Sequence, residues 1–191
     1  MTLGICGGIL VGGSSRRMGQ KKHLLEWRGK SWLAHVAQCA NSSVDDLFYL
    51  GSARLPEDAP PGTSIEDQPD IQGPLSGILS ALERRPNSAW IILACDLPRM
   101  NVSALSWLLS QRSPTWDAII PQSPDGYVHP LCALYEPTAL ILLKDLAVSG
   151  RGGPRQLVQH SSVLSPVIPV NMMEAFRNFN APEDLAHLEE A

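Results

Sequence analysis

Gly12, Gly13, Ser14, Ser15, Arg16, Arg17, Met18 and Gly19 follow directly on the apolar run from Gly4 to Val11, and the cations Lys21 and Lys22 come next. A strand that opens into such a loop can surround a polyphosphate with backbone N–H groups and with Arg and Lys side chains. The two adjacent glycines lack the Cβ that would block either a tight turn or a close ligand. The glycine spacing is not that of a Walker A loop, and His23 follows Lys22 where that motif needs Ser or Thr. No GxGxxG is present either. The same residues also fit an ordinary strand-to-helix turn with solvated side chains.

Three further groups lie beyond the first loop. Asp96 stands at the end of the apolar run Trp90-Ile91-Ile92-Leu93-Ala94, within the boundary segment Cys95-Asp96-Leu97-Pro98. A carboxylate at a strand tip suits Mg²⁺, a hard cation that bridges to phosphates. A helix cap or a turn would use an aspartate there equally well. Glu66 and Asp67 lead to Gly73, Pro74, Leu75, Ser76 and Gly77. Small residues there admit a flat base or a ribose, and Asp67 can accept hydrogen bonds from it. Proline in a first helical turn is the plainer account of that segment. Near the end, Asn178-Phe179-Asn180-Ala181-Pro182-Glu183-Asp184 reads as a capped helix start, with Glu183 three residues after Asn180 as in a capping box.

Other reactive types carry less. The five histidines show no zinc-ligand spacing, and no Ser or Cys carries a hydrolase signature. His35 falls within an apolar helical pattern and is expected to pack. His129, ahead of Pro130-Leu131-Cys132, is positioned at a strand start where it could touch a substrate. The tryptophans read as core or rim rather than as a base-stacking platform.

The elements that must hold these groups alternate along the chain. Strands are expected at residues 5–11, 47–50, 63–66, 90–94, 118–121, 131–135 and 167–170. Helices are expected at 31–40, capped by Ser31, and at 75–84, 102–109, 138–146, 156–159 and 182–190. Residues 53–63, rich in Pro, Gly and charge, read as loop. Such alternation predicts an α/β fold, a three-layer αβα sandwich with a mostly parallel, Rossmann-like sheet. Ligands of such sheets sit outside the carboxyl ends of the strands, where Gly12, Asp67 and Asp96 fall.

With 191 residues, 44% of them hydrophobic, the chain is expected to form a single domain over 1–191. Charged residues make up 18% and the net charge is −4, so a nucleic-acid partner is not expected. Positive charge is local instead: Arg16, Arg17, Lys21, Lys22, Arg28 and Lys30 share one segment, which suits a small anionic ligand. Cys6, Cys39, Cys95 and Cys132 are dispersed among apolar neighbours, as buried free thiols are. The start lacks a basic segment before a long apolar stretch and is too short to span a bilayer. The expectation is a cytoplasmic protein without a membrane partner.

Taken in order, these segments resemble the molybdenum cofactor guanylyltransferase family, within the wider glycosyltransferase-A-like nucleotidyltransferases. The matching pieces are Leu10 to Gly19 with Lys22, Leu24 and Leu25; Glu66-Asp67; Gly73 to Gly77; Cys95 to Pro98; Pro130 to Tyr135; and Phe176 to Leu185. The resemblance implies a nucleotide-diphospho-sugar transferase-like fold and an enzyme moving GMP from Mg²⁺-GTP to the phosphate of molybdopterin. By position, it implies that Leu10, Val11, Gly12, Gly13 and Ser14 meet the nucleotide, and that Lys22, with Arg16 or Arg17, meets its phosphates. Asp67, Gly73, Pro74 and Leu75 would contact the nucleotide, Asp96 would hold Mg²⁺, and Asn178 and Asn180 would face the pterin or the metal. Lys22, Asp96 and Arg17 are the residues expected to carry catalysis. The implied partners are GTP, molybdopterin and, transiently, proteins of molybdenum cofactor insertion or molybdoenzyme maturation. This sequence departs from the family at three places: Val11 replaces the usual Ala, Lys21 replaces an Asp, and Gly51 stands where an Asn often meets the nucleotide. There a backbone contact of Gly51, or Ser52, would have to substitute. A relative acting on CTP or a sugar phosphate, and a GTP-binding accessory protein without catalysis, are the alternatives.

Overall fold

The computed structural model describes residues 4–12, 21–150, 152–180, 184 and 188. In chain order these form β1 (Ile5–Leu10), β2 (Glu26–Trp27), β3 (Lys30–Ser31), α1 (Trp32–Asn41), β4 (Asp46–Leu50) and β5 (Thr63–Ile65). They continue with α2 (Pro74–Arg84), β6 (Ala89–Ala94), α3 (Val102–Ser110), β7 (Ala118–Ile119), β8 (Cys132–Tyr135), α4 (Ala139–Ser149) and β9 (Val163–Leu164). Three 3₁₀ turns, Lys22–Leu24, Pro154–Gln159 and Val170–Phe176, complete the described elements. Gly13, Ser14, Arg16, Arg17 and most of the expected helix at 182–190 lie outside the described residues.

β1 is apolar on both faces because it lies between two parallel neighbours with helices above and below. It pairs with β4 from Cys6 opposite Asp46 to Leu10 opposite Leu50. On its other side it pairs with β6 from Ile5 opposite Ala89 to Leu10 opposite Ala94. The main sheet runs β5-β4-β1-β6-β8-β7-β9. β8 runs antiparallel to both neighbours, while the other adjacent pairs are parallel. The strand order reverses beside β1, and such a switch opens a crevice at the carboxyl ends of the central strands.

Each face of the sheet carries its own core. Ile9, Ile91 and Leu93 point toward α1, α3 and the Val170–Phe176 turn, while Trp90 and Ile92 point toward α2 and α4. In α2, Leu75, Ile78, Leu79 and Leu82 recur at helical spacing, and all four are buried. Each such side chain contributes roughly 1.5–3 kcal/mol on leaving water. Ser31 caps α1, its Oγ accepting from the Ala34 N–H at 3.1 Å. Asp58 holds that serine in place, accepting from its N–H and its hydroxyl at 2.7 Å each. Asn101 caps α3 in the same way, accepting from the Ala104 N–H at 3.0 Å. Among the described residues no helix is long and apolar enough to cross a membrane.

The strand expected at 167–170 is not there. The last strand is Val163–Leu164, Val167 makes only an isolated bridge to Gln122, and Val170 opens a 3₁₀ turn. Pro166 and Pro169 bracket the apolar pair Val167-Ile168 and lack the N–H groups that a ladder needs. The β2–β3 hairpin, the turn at Lys22–Leu24 and the turn at Val170–Phe176 are further elements that the periodicity did not reveal.

Candidate active site

A cavity of about 400 Å³ lies at the carboxyl ends of β1, β4 and β6. Among the residues expected to meet a nucleotide, Leu10, Val11, Gly12, Lys22, Asp67, Gly73, Pro74 and Asp96 line it. Leu50, Ala94, Cys95 and Leu131 also line it and were missed. The strand-end rule that singled out Gly12 and Asp96 would have found Leu50 and Ala94, since each closes its own strand. Leu131 had no such signal: its carbonyl accepts from the Ala94 N–H at 2.8 Å, a pairing set by the antiparallel approach of β8.

Gly51 and Leu75, also expected in the site, do not line this cavity. Leu75 is buried in the core beneath α2. Gly51 is buried at the end of β4 with φ +117°, and its N–H donates to the Ile65 carbonyl at 2.8 Å. A Cβ built there would stand 2.3 Å from the Val11 carbonyl oxygen and 3.5 Å from the Asp67 carboxylate. The backbone therefore excludes a side chain at this position. Gly73 has the opposite setting. It precedes Pro74 at φ +75°, and a Cβ there would meet nothing within 4 Å.

The charged groups converge at one end of the cavity. Lys22 Nζ lies 3.1 Å from Asp96 Oδ2 and also donates to Asn180 Oδ1. Asn178 Nδ2 donates to Asp96 Oδ1 at 2.7 Å. Lys22 and Asp96 are 18% and 14% exposed, so the pair is shielded but reachable from the cavity. Two local structures bring these parts together. The Lys22–Leu24 turn is pinned by buried His23, whose Nε2 donates to the Arg54 carbonyl at 3.1 Å. Burial lowers the pKa of His23, which favours the neutral ring. The extended Asn178-Phe179-Asn180 segment hangs on Asp96 itself, the Phe179 N–H donating to the Asp96 carbonyl at 3.0 Å. Alternation along extended chain sends Phe179 into the core against Trp32 and leaves the two asparagines on the other side.

A smaller cavity of about 220 Å³ adjoins the first, sharing Asp96 and Leu131 and reaching Asn178, Asn180, His129, Tyr127 and Arg155. His129 lies where the sequence placed it, ahead of β8, and its Nε2 is 2.7 Å from Ser123 Oγ. Burial pushes its pKa down to about 4, so the ring is neutral near pH 7. Asp67 is shifted the other way, its pKa raised by burial and held back by a hydrogen bond from Ser76. Burial pushes the Cys95 thiol up to about 12, so it borders the cavity as a thiol rather than a nucleophile. All four cysteines are buried and free. His35 packs against Trp27, at 4.9 Å between ring centroids, and its Nε2 donates to the Trp27 carbonyl at 2.7 Å. Among the described residues no cluster of three His, Cys, Asp or Glu side chains could hold a metal.

A cation and a carboxylate meet across the carboxyl ends of a switch-point sheet, at a cavity edged by Gly12, Gly73 and Pro74, an arrangement suited to a polyphosphate ligand. A family model described as the MobA-like NTP transferase domain matches residues 7–165. A probable molybdenum cofactor guanylyltransferase of Nostoc sp. is 33% identical over 183 residues, 93% of this chain and 87% of that protein. The chain belongs to the molybdenum cofactor guanylyltransferase family. It is also 31% identical over 187 residues to a molybdenum cofactor biosynthesis bifunctional protein of Synechocystis sp., covering 94% of this chain and about half (52%) of that longer protein. Among solved structures, molybdopterin-guanine dinucleotide biosynthesis protein A from Archaeoglobus fulgidus shares the fold, with a TM-score of 0.78, 22% identity and 97% of each chain covered.

Proposed function

We propose that this enzyme transfers GMP from Mg²⁺-GTP to the phosphate of molybdopterin and releases pyrophosphate. The observation that carries the reading is the Lys22–Asp96 ion pair, which stands where the larger cavity meets the smaller one. In the reaction, an oxygen of the acceptor phosphate attacks the α-phosphorus of GTP. A new O–P bond forms there, the bond to the bridging oxygen of the β-phosphate breaks, and pyrophosphate leaves with the electron pair. The attacking oxygen is already anionic, so a strong general base is not required. The barrier lies in bringing anion to anion, and positioning with charge neutralisation lowers it.

Lys22 Nζ neutralises phosphate oxygens in this reading, and Asn180 holds its ammonium in place. Arg17 is the further cation in this reading, and Gly13 and Ser14 would add backbone amides; all three lie outside the described residues. The donor set also fits Mg²⁺. Two carboxylates, Asp67 and Asp96, line the cavity, and Mg²⁺ is commonly held by one or two carboxylates, its shell completed by phosphates and water rather than an all-protein cage. Asp96 would hold the ion and Asn178 would orient that carboxylate. When bound, the ion supplies Lewis-acid stabilisation of the charge on the triphosphate. Asp67, close behind the Gly51–Val11 contact, serves the nucleoside.

The test is Asp96→Asn assayed by pyrophosphate release with molybdopterin and a panel of GTP, CTP and ATP. The wild type is expected to turn over GTP, and the variant to lose at least about a hundredfold in kcat. Full turnover by Asp96→Asn removes the residue from this role. Preference for CTP, or pyrophosphate release only with a sugar phosphate, overturns the guanylyl reading.

A further inference from the structure

We infer that the stacked pair Tyr127 and Arg155, in the lining of the smaller cavity, acts as a clamp whose open face holds a flat heterocyclic ring of the acceptor against it and so sets acceptor specificity. The inference rests on the transfer reading above and names what that reading leaves open, the recognition of the acceptor away from its phosphate.

Four observations carry it. First, the cavity is lined both by polar Asp96, Asn178 and Asn180, of which Asp96 also lines the larger cavity, and by apolar Val128, Pro130 and Leu131, so it suits a ring system that carries a polar group. At about 220 Å³ it is smaller than the nucleotide cavity.

Second, part of the lining is aromatic and cationic, Tyr127 and Arg155, and the Tyr127 ring is 49% exposed, so a ligand can reach it. Third, the Arg155 guanidinium lies over the Tyr127 ring, with Cζ 5.1 Å from its centroid, and among the described residues Arg155 makes no ion pair. A guanidinium is planar, weakly hydrated and always charged, and it stacks on delocalised rings where an ammonium would not. Held on the tyrosine, it is pre-organised, so less side-chain freedom is lost when a ring arrives.

Fourth, the tyrosine is itself oriented from below. Its ring meets His129 edge-on, at 5.0 Å between centroids and 75° between planes, and His129 meets Phe176 at 5.8 Å. Ser123 fixes the imidazole from the other side at 2.7 Å. The clamp therefore stands on a packed stack rather than on a free loop.

The experiment reads binding and turnover separately. Fluorescence polarisation of 6-carboxypterin reports the slot, and a fluorescent GTP analogue reports the larger cavity and the integrity of the fold. Tyr127→Ala and Arg155→Ala are each expected to weaken carboxypterin binding about tenfold, the loss of one stacking partner. Tyr127→Phe keeps the ring and is expected to retain binding. GTP-analogue affinity should stay within about twofold throughout, as neither Tyr127 nor Arg155 lines the larger cavity. In turnover, the KM for molybdopterin should rise by the same factor while the KM for GTP does not. Unchanged carboxypterin affinity in both alanine variants overturns the clamp, and so does a wild type that binds glucose 1-phosphate but not carboxypterin. If carboxypterin binds and responds to the variants while GTP and molybdopterin give no pyrophosphate, the clamp stands and the transfer reading fails alone.

Discussion

Replacing Gly51 by Asn, the residue that the family resemblance leads one to expect here, is expected to damage the protein rather than add a useful polar contact. Gly51 has φ +117°, a conformation that L residues rarely adopt. Such backbone strain costs of order 1–3 kcal/mol. A Cβ at this position would also stand 2.3 Å from the Val11 carbonyl oxygen, where real Cβ contacts stay above 3.0 Å. The obstacle is backbone, so it cannot rotate away. Val11 is tied to β4 by its own N–H, which donates to the Leu50 carbonyl at 2.8 Å. Relief therefore requires β1 and β4 to part at their carboxyl ends, under the larger cavity. Strain and clash together amount to about 3 kcal/mol or more. For a chain of this size that is a fall in Tm of roughly 6–12 °C. Gly51→Ala and Gly51→Asn should both show it in thermal unfolding, because the Cβ and not the amide is at fault. A Tm within about 2 °C of wild type for Gly51→Asn would refute the reasoning and would mean that this strand end adapts to the side chain.

Lys22→Ala removes the ammonium facing Asp96 and is expected to lower kcat by about a hundredfold with the fold intact. Unchanged kinetics in steady-state pyrophosphate release would assign the role to Lys21 or to the arginines of the first loop. His129 predicts a pH dependence of stability. Its pKa is about 4 when folded against 6.5 for the free side chain, so the unfolded chain binds the extra proton between those values. Stability is complete above about pH 6.5 and falls toward pH 4, by up to roughly 3 kcal/mol for this group. His23, shifted in the same direction, adds to the slope. Urea unfolding from pH 4.5 to 7.5 should show a shallower fall for His129→Gln than for wild type, and parallel curves would contradict the assignment. Arg112 and Glu136 form a two-pronged ion pair at 2.5 and 3.0 Å, with side chains 18% and 11% exposed. Arg112→Met strands the carboxylate and should cost about 2–4 kcal/mol in chemical denaturation, whereas replacing both partners by apolar residues should cost less.

Much of the fold was legible because burial periodicity is a local signal. α1, with its Ser31 cap, and β6 were read nearly to their ends. Failures came where tertiary context overrode an apolar run, as at Val167-Ile168 between two prolines, or where elements were too short to show a period, as in β2 and β3. Within the site, Asp96, Lys22 and the end of β1 could be singled out because strand tips and glycine loops mark themselves. Tyr127 and Arg155 could not. They come from a turn and a 3₁₀ segment 28 residues apart, and neither carries a pattern of its own.

By itself the chain's order of residues settled the alternation of strands and helices and the strand tip that carries Asp96. These depend on neighbours within a few positions, where hydrophobic periodicity and backbone preference act. The folded arrangement alone decided which tips meet. Lys22 and Asp96 are 74 positions apart, and Asp96 and Asn178 are 82 apart. Parallel pairing of β1 with β6, and the Phe179 amide bonded to the Asp96 carbonyl, bring them together. The exclusion of a side chain at Gly51 belongs to the same class. It follows from the approach of one strand's carbonyl to the next strand's end, and local sequence preference carries no record of that distance.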